Sequence, residues 1–234
     1  MRLTSGRLST ACLEWLASSR LKFLEDMVGG SPMRYFSAHL PIMATWRQDG
    51  EEKFPVNMTV KGIGLIPRID LLPDYIDIFE GIIAEVRSVP WEESLGKRVN
   101  VMSKLYSDTD NFDPALLGGL EIFQGRASEN MIENPYASLL YVGMAYGREG
   151  MQYISFQVNG TVEILEKDSP HYRFLLASRK LFEFDKFHLF QPDYPFGYLL
   201  RVSEVRDKSP WSKAAKAPES GQATRDFRKN ADER

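Results

Sequence analysis

One stretch restricts this chain more than any other: Gly118 to Val142, GGLEIFQGRASENMIENPYASLLYV, where a short helical segment runs into Asn134-Pro135 and then into an apolar run. Proline lacks the N–H that a helix interior needs, so any helix begun after Gly125 must end at Asn134. The residues beyond it, Ala137, Leu139, Leu140, Tyr141 and Val142, read as a largely buried strand. Upstream, Leu120, Ile122 and Phe123 suggest a short strand, Gly125 breaks it, and Ser128 is the expected N-cap. Arg126 and the N–H groups of a helix opening near Ser128 then point the same way, which is the arrangement that holds a phosphate. The unit points to a ligand more than to a reaction.

The flanking sequence is expected to supply the rest of a mixed fold. Leu8, Cys12, Trp15, Leu16, Phe23, Leu24 and Met27 recur at helical spacing until Gly29-Gly30 stops them. Arg34 to Trp46 and Lys53 to Lys61 read as strands joined at Asp49-Gly50 in a β-hairpin, with Pro55 marking an edge. Gly62-Ile63-Gly64 reads as a strand end or bulge. Pro73 opens a second helix that carries Tyr75, Ile76, Phe79, Ile82, Ile83 and Val86 and ends before Pro90. Arg98 to Ser107 reads as a strand through the alternation of Val99, Val101 and Leu105. Asp108, Asp110 and Asp113 then form a solvated acidic turn that departs from the EF-hand pattern, since Asp113 stands where its glycine should be. Tyr153 to Glu166 is either a hairpin at Asn159-Gly160 or one long strand kinked at Gly160. Ser169-Pro170 caps a helix with Tyr172, Leu175, Leu176 and Phe182, and Phe196 to Val205 is the last strand. Beyond Trp211 the composition is that of a disordered tail. Uneven strands interrupted by helices, without regular βαβ alternation, predict an α+β fold on a mainly antiparallel sheet or barrel.

Composition limits the partners. A chain of 234 residues with net charge -3 has no basic field for nucleic acid or anionic lipid, and its Lys and Arg are scattered. No apolar run is long enough to span a bilayer and no signal-peptide pattern opens the chain, so a cytoplasmic protein without membrane or nucleic-acid partners is expected. Cys12 stands alone, which removes an intrachain disulfide and a cysteine metal cluster. The histidines His39, His171 and His188 lie outside metal-ligand spacing, and no metal site is expected. His39 reads as a satisfied core or surface residue, and His188 as part of an aromatic wall.

Gly125-Arg126-Ala127-Ser128-Glu129-Asn130-Met131-Ile132-Glu133-Asn134-Pro135, followed by ASLLYV and later FQVNGTVEILE, resembles the flavin-binding split β-barrel superfamily of the pyridoxamine phosphate oxidase type, over roughly residues 118 to 206. The resemblance implies a mainly antiparallel split β-barrel with flanking helices, with an N-terminal helix at 1–30, the barrel domain at 31–210 carrying a helical insertion at 65–91, and the tail at 211–234. It implies FMN as cofactor, held by Gly125, Arg126 and Ser128 at the phosphate, with Gln157 and Gly160 near the rings. It also implies a homodimer and an FMN-dependent oxidoreductase acting on a small molecule. Ala127 and Glu129 depart from the family, which commonly places another base beside the phosphate. That departure favours the alternative of a non-catalytic barrel binding a flavin, haem or other planar ligand, or of a ligand-free interaction subunit. A second, shorter resemblance, of Gly119-Leu120-Glu121-Ile122-Phe123 to a segment of acetoacetate decarboxylase-like proteins, fails because the reactive lysine is missing from the residues that follow.

Overall fold

A computed structural model describes residues 3–31, 38–47, 53–147, 150–183 and 193–210. Eight strands form one sheet, β1 (Leu3–Ser5), β2 (Ile42–Trp46), β3 (Val56–Val60), β4 (Ile63–Pro67), β5 (Phe112–Glu121), β6 (Tyr136–Gly147), β7 (Gly150–Leu165) and β8 (Phe196–Asp207). They run β3-β2-β6-β7-β8-β5-β4, with β1 added to β8, and every pairing is antiparallel. Among the described residues five helices accompany them: α1 (Thr10–Val28), α2 (Leu72–Glu85), α3 (Trp91–Tyr106), α4 (Arg126–Glu133) and α5 (Pro170–Leu181). This is the expected α+β architecture of split-barrel type.

Helix α1 fills the inside of the curved sheet. Ser9 caps it by accepting from the Cys12 N–H, and Trp15 meets Tyr141 edge-on at 6.2 Å and Phe156 at 5.9 Å, both inward-facing. Cys12 lies fully buried here, and desolvation aided by Asp207 pushes its thiol up to about 12, so it is an inert packing residue. On the outer face, α5 packs over β5 and β8 and is tied to α2 by Phe79 stacked on Phe174 at 5.8 Å. Leu199 and Leu200 are therefore both buried although they point to opposite faces of β8.

Several expectations hold. The hairpin of β2 and β3 pairs Trp46 with Val56, and β3 is an edge strand as Pro55 required; the Asp49-Gly50 turn lies outside the described residues. The tail beyond Trp211 and the aromatic wall at His188 also lie outside them. Between the two readings at Asn159-Gly160, the structure has a single strand, β7, whose ladder to β8 shifts register between Asn159 and Gly160, with Ser203 of β8 as the extra residue.

One element is corrected. Residues 98 to 107 are not a strand: 98 to 106 are the second half of α3, and Ser107 is its C-cap. Ser94, Arg98, Val99, Val101, Met102, Leu105 and Tyr106 are the buried set, a spacing of three and four that outweighs the local alternation of Val99 and Val101. Arg98 is buried with this set, and its guanidinium lies over Trp91 at 5.1 Å and donates to Ser94 Oγ and the Leu181 carbonyl. The segment 65–91 contains the end of β4 as well as α2, so the sheet continues into it.

Candidate functional site

The loop before α4 differs in detail from its sequence reading. The helix opens at Arg126 with Gly125 as N-cap, so Ser128 is not the cap but the third helical residue. Its Oγ accepts from the Gly125 N–H at 2.8 Å and donates to the Gly125 carbonyl at 2.7 Å. A serine three residues inside a helix can do from within what a cap does from outside, because the two positions face each other across the first turn. Ser128 is buried by this, while Arg126 stands exposed at the helix start. An added Cβ at Gly125 would meet nothing within 4 Å, so open space lies in front of the turn.

Sequence reading missed a second cation in this corner. Arg47 follows β2 and reaches Glu129 at 3.1 Å through Nη2 and Glu133 at 3.3 Å through Nε. Helix α4 is fixed beneath β2 by Asn130 Nδ2 donating to Thr45 Oγ1 and Asn134 Nδ2 donating to the Trp46 carbonyl. Thr45 is fully buried with Met43 on the inner side of β2, so α4 lies against the inner face. The only signal for Arg47 was its place just beyond an inward-pointing threonine.

Gln157 stands elsewhere, on the outer face of β7. Its Nε2 donates to Asn159 Oδ1 at 2.9 Å and to Ser138 Oγ at 3.2 Å, and Ser138 donates to the same Asn159 oxygen at 2.8 Å. Asn159 Nδ2 in turn donates to Glu204 Oε2 at 2.7 Å, and Arg206 Nε to Glu204 Oε1 at 2.8 Å. The Arg206 hydrogen bond, with a smaller one from Asn159, holds the Glu204 carboxyl below its ordinary range against partial desolvation. Polar residues two apart in FQVNG and in SEVRD carried the pattern of this network, of which only Gln157 was singled out. Gly160 faces inward, and the Arg201 carbonyl oxygen lies 2.4 Å from where its Cβ would be. It makes room for backbone, and β8 fills the space.

The five sequence-derived residues therefore divide. Gly125, Arg126 and Ser128 meet at the start of α4 beneath the inner face, Gln157 lies on the outer face, and Gly160 is packed inside. Around Gln157 the outer face of β3, β2, β6 and β7 is apolar and open: Met58 is 63% exposed, Met144 61% and Tyr153 57%, with Val56, Val60 and Val142 also exposed. On the hydrophobic scale these are large side chains to leave in water, and a contiguous stripe of them marks a surface that meets something.

Two polar groups sit inside the barrel. Lys61 Nζ donates to both oxygens of Glu121 at 2.5 and 2.6 Å, and Glu121 is buried beside the Tyr198 hydroxyl, whose pKa is raised by burial and by that carboxylate. His39, with Arg20, Tyr106 and Tyr141, lines a narrow cleft between α1 and β4. Burial and the nearby Arg20 guanidinium push His39 down to about 3, and the neutral ring places Nδ1 3.2 Å from the Ile63 carbonyl.

No protein-family model matches the chain, and no curated protein sequence matches it either. Solved structures do. A Lactobacillus delbrueckii protein assigned as a pyridoxamine 5'-phosphate oxidase is similar at 15% identity over 88% of this chain and 99% of its own, with a TM-score of 0.39. An FMN-binding protein from Syntrophomonas wolfei is similar at 10% identity over 84% and 91%, with a TM-score of 0.41. The haem storage protein HutZ of Vibrio cholerae is similar at 10% identity over 72% and 85%, with a TM-score of 0.37. The neighbours thus include pyridoxamine 5'-phosphate oxidase-like and FMN-binding proteins, the kind the sequence resembles, and haem proteins beside them. Superpositions this loose carry no residue correspondence, and the ligand of each belongs to that protein. No helix among the described residues is long and apolar enough to cross a membrane.

Proposed function

We propose that this chain is a homodimeric split-barrel protein that binds a planar cofactor, FMN, in a site shared between two copies. The observation that carries the reading is the outer sheet face, where a hydrogen-bonded polar network around Gln157 is framed by exposed Met58, Val142, Met144 and Tyr153. A planar ring with a polar rim suits that surface, and a second copy would cover its apolar remainder. Arg126 and the first turn of α4 lie against the opposite face, so one chain presents the two halves of a nucleotide site back to back; a second copy can bring its α4 to the first copy's outer face. In such a site Arg126 and the N–H groups opening α4 would hold the phosphate, Ser128 would keep that turn rigid, and Gln157 would lie at the ring. FMN, when bound, supplies hydride or electron transfer, and an oxidoreductase acting on a small molecule is the corresponding activity.

Arg47 favours a second reading. Glu129 and Glu133 already engage its charge, and Ala127 offers none, so the phosphate corner is modestly cationic, as in a barrel that binds its ligand without catalysis. Titration of FMN by flavin fluorescence separates the outcomes. Wild type is expected to bind, Arg126→Ala to bind about tenfold more weakly, or about 1.4 kcal/mol, and Glu129→Lys to bind more tightly because it replaces a carboxylate near the phosphate by a cation and removes one of the two acidic partners of Arg47. A wild type that ignores FMN but takes up hemin, or an Arg126→Ala variant that binds FMN equally well, overturns the assignment at α4. Sedimentation of Met58→Lys beside wild type tests the dimer, with a monomeric variant expected and an unchanged one refuting it.

A further inference from the structure

The network on the outer face has a direction fixed from one end. An ionised carboxylate only accepts, so Asn159 must turn its Nδ2 toward Glu204, which leaves its Oδ1 on the opposite side. That oxygen accepts from Ser138 and from Gln157, so Gln157 must present its NH2 group to the network, and Ser138 takes up the second amide hydrogen. Gln157 Oε1 is left pointing away with no hydrogen bond among the described residues. Arg206 uses only Nε on Glu204, which leaves its two terminal nitrogens. Gln157 and Arg206 are direct partners across β7 and β8, and the Arg206 side chain is 37% exposed. Side chains so paired stand about 5 Å apart at Cβ.

We propose that Gln157 and Arg206 read the imide edge of a planar heterocycle, Gln157 Oε1 accepting from a ring N–H and the Arg206 terminal nitrogens donating to the adjacent ring carbonyl. The inference rests on the planar-ligand reading above and narrows it. The rim of a porphyrin carries no imide; its carboxylates would suit Arg206 but set oxygen against the Gln157 oxygen. Flavins and pyrimidine nucleosides such as uridine share the edge. Leu140, the partner of Gln157 on β6, and Val142 next along that strand offer apolar surface beside the pair, which suits the larger fused ring.

The test uses the full chain and ligands that lack phosphate, so it is independent of α4. Riboflavin and 3-methylriboflavin, in which the imide N–H is blocked, are titrated into wild type, Gln157→Leu and Arg206→Met, with uridine as competitor. Wild type is expected to bind riboflavin about tenfold or more tightly than the methylated ring, the size of one well-formed hydrogen bond. Gln157→Leu should abolish that preference, and Arg206→Met should weaken binding of both rings. Equal binding of the two rings by wild type, which requires no variant to fold, overturns the edge reader while leaving a flavin site. Binding of neither ring overturns the edge reader and the planar-flavin reading together. Uridine that displaces riboflavin at equal concentration supports the edge but names a pyrimidine nucleoside as its ligand.

Discussion

The two halves of the sheet are built from similar strands and treated differently. Where β4, β5 and the first half of β8 lie together, α1 covers the inner face and α5 the outer, and Leu117, Tyr198, Leu199 and Leu200 are all buried. Where β3, β2, β6 and β7 lie together, the inner face is filled by the same core but the outer face carries exposed Val56, Met58 and Val142. The covered half holds the fold together through packing and a buried ion pair; the open half keeps apolar surface available for a ligand or a second copy. Substitutions in the covered half should therefore cost stability, and substitutions near the open half should cost binding.

The largest expected loss is at the ion pair in the covered half. Glu121→Ala leaves Lys61 nearly buried without its carboxylate, and removing one partner of such a pair costs about 3 kcal/mol or more. Denaturant melts of Glu121→Ala and of Lys61→Met with Glu121→Gln should show the single variant as the less stable, because the double variant strands no charge. Equal losses would mean that the pair matters only for its packing.

Gly160→Ala should follow, at about 2 to 3 kcal/mol, since the new methyl group meets the Arg201 carbonyl oxygen, and backbone on both sides cannot yield cheaply. A thermal midpoint within a degree or two of wild type would show that the bulge can open. The sequence left Asn159-Gly160 open between a hairpin turn and one strand kinked at Gly160, and only the ladder to β8, where the Arg201 carbonyl fills the space beside Gly160, distinguishes them. The same limit explains α3, where two valines in alternation imitated a strand because the partners of Val101 and Leu105 lie far away in sequence. Local punctuation fared better. Gly29-Gly30, Asn134-Pro135 and Ser169-Pro170 act within a few residues of themselves, Ser169 by accepting from the Tyr172 N–H, so they marked the ends and starts of α1, α4 and α5 without help from the rest of the chain. The candidate site was half legible for the same reason: Arg126 announces itself beside a glycine, whereas Arg206 and Glu204 matter through residues on β7.

His39 gives a smaller, pH-dependent effect. Its folded pKa, about 3, lies below the unfolded value near 6.5, so the unfolded chain binds the extra proton between those two pH values. The contribution is fully present above pH 6.5 and is lost as pH falls toward 3, with a ceiling of about 1.4 kcal/mol per pH unit. His39 retains some exposure, so the observed slope should be below that ceiling. Urea melts at pH 7 and pH 5 should bring His39→Gln and wild type closer together at the lower pH. Parallel curves would assign the proton elsewhere.

The smallest effect separates two glycines. At Gly125 the backbone is extended, with φ of −175°, a conformation open to any residue, and a new methyl group would meet nothing within 4 Å. The two hydrogen bonds that fix the turn use the backbone N–H and carbonyl of residue 125, which alanine keeps, so Gly125→Ala should change stability by less than about 0.5 kcal/mol. Ser128→Ala removes both bonds at once and leaves the Gly125 N–H without its acceptor, a loss of about 1 kcal/mol. The turn before α4 is thus held by a side chain rather than by a glycine's freedom, whereas β7 at residue 160 requires glycine itself. If thermal melts show Gly125→Ala to be as costly as Gly160→Ala, then the space in front of α4 is not open, and a phosphate has no room there either.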